Sequence, residues 1–448
     1  MSLSARAVAR KLAQHLKDQL ISRALERRLD KAQKASRELA ASADEAPIPE
    51  AHYRFEDHPS YRQLQILRDG AQRFHIESPF FYVHEGIASA STRLGEHSYI
   101  NFAHYNYLDL VGHTDVQRAA RDALERYGTS VSASRIVAGE RALHKGLESA
   151  LAQFYGVADA LVFVSGHATN VSSIGHLLGP KDLIVHDEYV HNSVLVGAQL
   201  SRARRFSFPH NDLGALERLL SQHRPGAERT LIAVEGLYSM DGDLPDLPGL
   251  LALKNRFKAW LMVDEAHSLG VLGASGRGLA EHFAVDPRLV DIWMGTLSKT
   301  LASCGGYIAG SCALVDILRH FAPGFLYSVG LPPPQTAAAL AALEVLRKEP
   351  ERVARLRRNS LSLMKGLQEA GLDIGASSGH AVVPLIMGGS LPSIRLARAL
   401  LERGIHVQPI LYPAVPERRA RLRFFVNAAH SAEDIETTVR AVIDASQA

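Results

Sequence analysis

The chain has 448 residues, of which 46% are hydrophobic and 22% charged, with a net charge of +3. That length exceeds one compact core, and the composition is that of a soluble globular protein of two or more pieces. The near-balanced charge gives no case for nucleic acid as a partner. No apolar run approaches the roughly 20 residues that span a bilayer, and the N-terminus lacks the apolar stretch of a signal peptide. Two cysteines, Cys304 and Cys312, form neither a metal-ligand spacing nor a disulfide framework, which fits a reducing, cytoplasmic setting without a metal site.

The charge is unevenly placed. Residues 1–40 hold ten Lys/Arg against four Asp/Glu. Within them Val8, Leu12, Leu16, Leu20, Leu25 and Leu29 recur at helical spacing, which predicts a basic amphipathic helix. The plain reading is a helix packed on its own protein or on a dimer mate. An acidic protein partner and peripheral contact with an anionic membrane are the other two. With the small, proline-bearing linker ASADEAPIPE, this extension is expected to occupy residues 1–57. A short N-terminal segment, 58–110, follows; its folded sequence resumes near His58. Here FFYVHEG and STRLGEHSYINF read as strands, with a turn at Gly95.

From about Leu110 to Gly310 strands alternate with helix-length segments. ALVFV (160–164), DLIVHD (182–187), TLIAVEG (230–236), WLMVDEAH and DIWMGTLSK are the short apolar runs. The pattern predicts an α/β domain over 111–335, with a largely parallel sheet and helices on both faces. After LPPPQ (331–335) the character changes. A long Ala/Leu/Arg helix over 336–358, strands near AVVPLIM and HVQPI, and a terminal helix from Ala432 predict a smaller α+β domain over 336–448.

Two of the apolar runs end in residues that an ordinary core does not hold. WLMVDEAH stops at Asp264, Glu265 and His267; DIWMGTLSK stops at Thr296, Ser298 and Lys299. Side by side in a parallel sheet, they bring Asp264 and Lys299 to the carboxyl edge, where open α/β sheets receive ligands. An amine and a carboxylate facing one crevice suit pyridoxal phosphate (PLP): the lysine forms a Schiff base and the acid faces the pyridine nitrogen. An Asp–Lys ion pair on a loop edge is the plainer alternative.

Over roughly residues 75–445 the chain resembles the α-oxoamine synthases, PLP-dependent enzymes of fold type I. NYLDL, SASRIVAGERALHKGLE, SGHATN, DEYVHNS, EGLYSMDGD, VDEAHSLGVLGASGRG, GTLSK, GGYIAG and ARLRFFVNAAH occur in that family's order. A lone DEAH also occurs in helicases, but there is no Walker A loop here.

The resemblance implies that Lys299 carries PLP, that Asp264 keeps its ring nitrogen protonated, and that His267 reaches its phenolic oxygen with Ser239 nearby. It implies that His191 stacks on the ring, and that Gly166 and His167 offer a helix N-terminus to the phosphate. Thr296 and Ser298 supply hydroxyls, and Ser328 does so from a partner subunit of a homodimer. Arg423 matches the clamp for the substrate carboxylate, bidentate and orienting; Arg421 and Arg419 are expected in solvent. Tyr105, a further substrate-side residue, follows the serine palmitoyltransferase-like members. Leu411 and Ala414 stand where the biotin-pathway enzyme has Arg and Thr, which counts against a pimeloyl donor. Asp109 stands where the family usually has Gly, so its turn is an open point.

The implied reaction is decarboxylative condensation of a small α-amino acid (serine first, then alanine or glycine) with a fatty-type acyl thioester, from CoA or an acyl carrier protein. The rivals are a PLP aminotransferase or aldolase, and a non-catalytic palmitoyltransferase-type subunit, which is expected to lack the lysine.

Overall fold

The computed structural model describes residues 27, 30, 31, 34, 48–73 and 77–447. The expected basic N-terminal helix lies mostly outside them; Arg27, Asp30, Lys31 and Lys34, which are described, are helical and exposed. The described residues divide into two compact units, one up to Ser78 and one from Pro79 onward. In the first, single turns at Glu50–His52 and Phe55–Asp57 precede a helix at Pro59–Arg73, so regular structure starts before His58.

The second unit begins with a hairpin of β1 (Ser91–Leu94) and β2 (His97–Asn101), turned at Gly95, whose φ of +59° favours glycine. FFYVHEG is not a strand. Phe81 has a φ of +63°, which breaks the extended run, and only a single bridge, Glu85 to Arg93, remains.

The centre is a seven-stranded sheet of β3 (Asp159–Phe163), β4 (Leu183–Asp187), β5 (Arg204–Phe208), β6 (Thr230–Glu235), β7 (Trp260–Asp264), β8 (Ile292–Thr296) and β9 (Gly306–Gly310). Its order is β3-β9-β8-β7-β6-β4-β5. Only β9 runs against its neighbours; the rest are parallel. Every residue of β4 and β6 is buried, as parallel strands covered on both faces require. Two strands escaped the apolar-run reading. β5, RRFSF, is an edge strand with mostly open side chains, and β9, GYIAG, has too few large residues to signal.

The helix expected over 336–358 is two helices, Pro333–Lys348 and Glu351–Glu369, parted at Pro350, which cannot continue the hydrogen-bond ladder. HVQPI also divides. β11 (Ile405–His406) pairs with β2, and β12 (Gln408–Ile410) pairs with β13 (Arg421–Phe425). β13 is the middle strand of a small antiparallel sheet, β10-β13-β12, where β10 is Val382–Ile386. The chain closes with the expected helix, Ala432–Gln447.

Candidate active site

β7 and β8 pair so that Asp264 stands opposite Met294, one turn of chain before Lys299. Both strands deliver their polar ends to the same edge. A cavity of about 220 Å³ opens there. Asp264, His267, Thr296, Ser298 and Lys299 line it from β7 and β8, and Gly166, His167, His191 and Ser239 from the ends of β3, β4 and β6. Nine of the twelve residues singled out above therefore converge on one space. Tyr105, Arg423 and Ser328 are not among its lining.

Asp264 is buried and held on both oxygens: Asn170 Nδ2 donates to Oδ2 at 2.9 Å and the Ala266 N–H to Oδ1 at 3.0 Å. No ion pair joins it to Lys299 among the described residues, so the plainer alternative is not what is found. The Lys299 amine lies 5.4 Å from the centre of the Tyr105 ring. Burial lowers its pKa to about 8, against the pull of Asp264 and Glu235.

Asn170 also donates to Ser193 Oγ at 2.9 Å, and Ser193 Oγ lies 2.7 Å from His191 Nδ1. The Ser193 N–H donates to the same nitrogen at 3.3 Å. Burial lowers the His191 pKa, so the ring is neutral; with Nδ1 accepting, its proton sits on Nε2. His267 is fixed in a similar way. The Tyr107 hydroxyl is 2.6 Å from its Nδ1, and the ring lies parallel to Phe425. Burial, then Lys299 and Arg423, push the His267 pKa well down, while burial pushes the Tyr107 phenol well up. The phenol therefore donates, and His267 keeps its proton on Nε2.

Gly166 opens the helix Gly166–Leu177, capped by Ser165, whose hydroxyl accepts from the Ala168 N–H. A Cβ on Gly166 would lie 2.9 Å from Thr296 Oγ1, so only glycine lets this helix end approach β8. Thr296 itself donates to the Gly305 carbonyl at 3.0 Å.

Arg423 is buried on β13. Its Nη1 donates to the Ser239 carbonyl at 2.9 Å, its guanidinium covers the Phe425 ring, and its Nε has no partner. It thus stands behind the Ser239 loop with donor capacity in reserve. Arg421 is not in solvent. It is fully buried and pairs with buried Asp241 at 2.9 Å, because its strand runs under the loop of EGLYSMDGD. Arg419, half exposed, lies 3.5 Å from the same carboxylate. The open point at Asp109 resolves: its φ is +57°, the left-handed turn that glycine favours, with the side chain held by the Ser89 hydroxyl at 2.7 Å. Glu265 of DEAH is structural; it accepts from the Leu279 N–H at 2.9 Å.

Four residues that matter here were not singled out: Asn170, Ser193, Tyr107 and Glu235. Asn170 and Ser193 lie inside quoted motifs, SGHATN and DEYVHNS, but nothing local marks their partners. The residues fit PLP. Asn170 Oδ1 and Glu235 Oε1, on two residues of the lining, are buried polar atoms without close partners, and Gly166, the first residue of its helix, lines the cavity with no side chain of its own.

Fold and site together are those of an α/β enzyme built around PLP. The aminotransferase class I and II family model matches residues 97–442. Among curated relatives, 8-amino-7-oxononanoate synthase of Geobacter sulfurreducens is 47% identical over 75% of this chain and 86% of its own. The protein of the same name from Geotalea daltonii is 43% identical over the same shares. Among solved structures, Sphingomonas wittichii serine palmitoyltransferase matches 87% of this chain and 98% of its own, at 29% identity and a TM-score of 0.83. The chain belongs to the aminotransferase class I and II family and, within it, to the α-oxoamine synthases, PLP-dependent acyltransferases. Its reaction is the decarboxylative condensation of an amino acid with an acyl thioester. Among the described residues, no helix is long and apolar enough to cross a membrane.

Proposed function

We propose that this enzyme joins a small α-amino acid (serine, alanine or glycine) to a fatty-type acyl thioester, releasing CO2 and free thiol and leaving an α-amino ketone. The observation that carries the reading is the continuous chain Asp264–Asn170–Ser193–His191 beside Lys299. It fixes an anion on one side of the cavity and a neutral imidazole donor on another.

In this reading Lys299 holds PLP, with Asp264 at its ring nitrogen, His267 Nε2–H at its phenolic oxygen and the Gly166–His167 backbone at its phosphate; Ser239, Thr296 and Ser298 complete the cradle. When bound, PLP supplies an electron sink for negative charge at the amino acid's Cα. The Lys299 amine, freed when the amino acid takes its place on the cofactor, would take the Cα proton, and its lowered pKa leaves a usable neutral fraction near pH 7. His191 Nε2–H donates to the thioester oxygen as charge develops there. Arg423 engages the substrate carboxylate once Ser239 yields one of its donors, and Tyr105 closes the substrate side. Ser328 acts from the second subunit of a homodimer.

The names of the curated relatives favour a second reading of the substrates. The product 8-amino-7-oxononanoate carries an amine and a terminal methyl on adjacent carbons, as alanine would leave them, and an acid at the far end of the chain. Leu411 and Ala414 in place of Arg and Thr favour a donor without that distal acid. A thiol-release screen of serine, alanine and glycine against fatty acyl and pimeloyl thioesters, CoA-bound and carrier-bound, separates the readings. Fatty acyl turnover with little pimeloyl turnover supports the first; the reverse supports the second.

We further propose that residues 1–45 recruit an acidic acyl carrier protein through long-range charge, with anionic lipid as the rival target. Deleting them should raise KM for a carrier-bound donor and spare a CoA donor. Equal losses for both donors would show that the arm serves folding or dimerisation. Lost liposome binding with unchanged carrier kinetics would assign the arm to the membrane.

A further inference from the structure

Two carboxyl groups, not one, stand at the floor of the cavity. Glu235 ends β6 and is the register partner of Asp264 on β7, so both side chains leave the same face of the sheet. Both are buried, at 4% exposure each, and both line the cavity. Neighbouring carboxyls in a dry site do not both ionise readily, and the hydrogen-bond donors around them decide which one does. Asp264 receives a donor on each oxygen, from Asn170 and from the Ala266 N–H. Glu235 receives the Ser239 N–H at 3.1 Å on Oε2 and weaker help from the His191 backbone N–H, while its Oε1 makes no close hydrogen bond. The negative charge therefore settles on Asp264 and the proton on Glu235.

We propose that Glu235 is a proton-carrying positioning residue that sets the charge of the site, acting through Lys299 and Asp264. In its neutral form it leaves a single negative charge, on Asp264, beside the lysine nitrogen, and its free Oε1 presents a hydrogen-bond donor to the cavity. When the proton leaves to solvent, the second negative charge holds the Lys299 nitrogen in its protonated, non-basic form. The charged and titratable groups around Glu235 are Asp264, Lys299, His191, Tyr107, Tyr238 and Arg423. Burial first, and Asp264 second, push its carboxyl up to about 8, which places the change inside a working pH range. The Ser239 link gives Glu235 a second reach, because the same residue's carbonyl accepts from Arg423.

This inference rests on the assignment of PLP to Lys299 made above, and the test separates the two. Glu235→Gln keeps a neutral, donor-capable group that cannot ionise. Substrate-free protein with bound PLP is titrated by its visible absorbance, and the PLP affinity of the apo-protein is measured over the same pH range. Wild type should show two linked protonations. Glu235→Gln should show one, with a midpoint lower by roughly one pH unit, and an affinity whose pH dependence is flattened. Glu235→Asp should restore the second protonation. An unchanged midpoint and width in a folded Glu235→Gln protein would overturn the proposal. Should that variant not fold, a single one-proton titration in wild type would overturn it equally. Wild type that takes up no PLP would instead overturn the site assignment itself.

Discussion

The hydroxyl of Tyr107 lies 2.6 Å from Nδ1 of His267, across 160 residues of sequence. It fixes the tautomer of a buried imidazole and so decides which ring nitrogen carries a proton into the cavity. Tyr107→Phe removes the donor but keeps the ring. Turnover should fall roughly tenfold, the worth of one buried hydrogen bond, while PLP remains bound with a shifted absorbance. An unchanged spectrum and rate would show that the tautomer is fixed by something else.

Asp264 gives a sharper expectation. Asp264→Asn keeps the size and loses the charge, so the amino acid's Cα proton should exchange with solvent roughly a hundredfold more slowly or worse. NMR in D2O measures that exchange directly, without an acyl donor. Normal exchange would remove Asp264 from its assigned role.

Away from the cavity, Arg421 and Asp241 form an ion pair with both side chains almost fully buried. Removing one partner strands the other, which costs about 3–5 kcal/mol. Arg421→Ala should therefore lower the urea midpoint strongly at an unchanged slope. A loss under about 1 kcal/mol would mean that Arg419 takes over the carboxylate.

His210 makes a pH-dependent contribution. Its Nδ1 and Nε2 lie 2.9 Å from Asp187 and 2.7 Å from Asp243, joining the end of β4 to the loop after β6. Burial opposes its charge, but the two carboxylates win and raise its pKa to about 10. A raised folded-state pKa means stability that is fully present below the ordinary histidine value near 6.5 and is lost as pH rises through about 10. His210→Gln should cost about 3 kcal/mol near neutrality and progressively less toward pH 10. Thermal unfolding of both proteins across that range checks it; a pH-independent gap would refute the charged form.

How much of this was legible in the sequence depended on whether the signal was local. Asp264, His267 and Lys299 showed because each follows a buried apolar run that ends abruptly, and five central strands showed for the same reason. β9 did not: its glycines give no run, though it lies between β3 and β8 with every residue buried. Arg421 read as a solvated charge because its partner, Asp241, is 180 residues away. Asn170 meets Asp264 across 94 residues, and Glu235 meets it only once β6 and β7 pair. Long-range pairing of polar groups is written into the fold, and no short motif exposes it.

The central claim is that Lys299 carries the cofactor, and reduction tests it most directly. Protein purified with PLP is treated with borohydride, which fixes the cofactor to the amine that holds it, and then digested and mapped. The account predicts one labelled peptide, containing Lys299, and no label in Lys299→Ala even where PLP still binds. Label on any other lysine, or unchanged labelling in that variant, would contradict it.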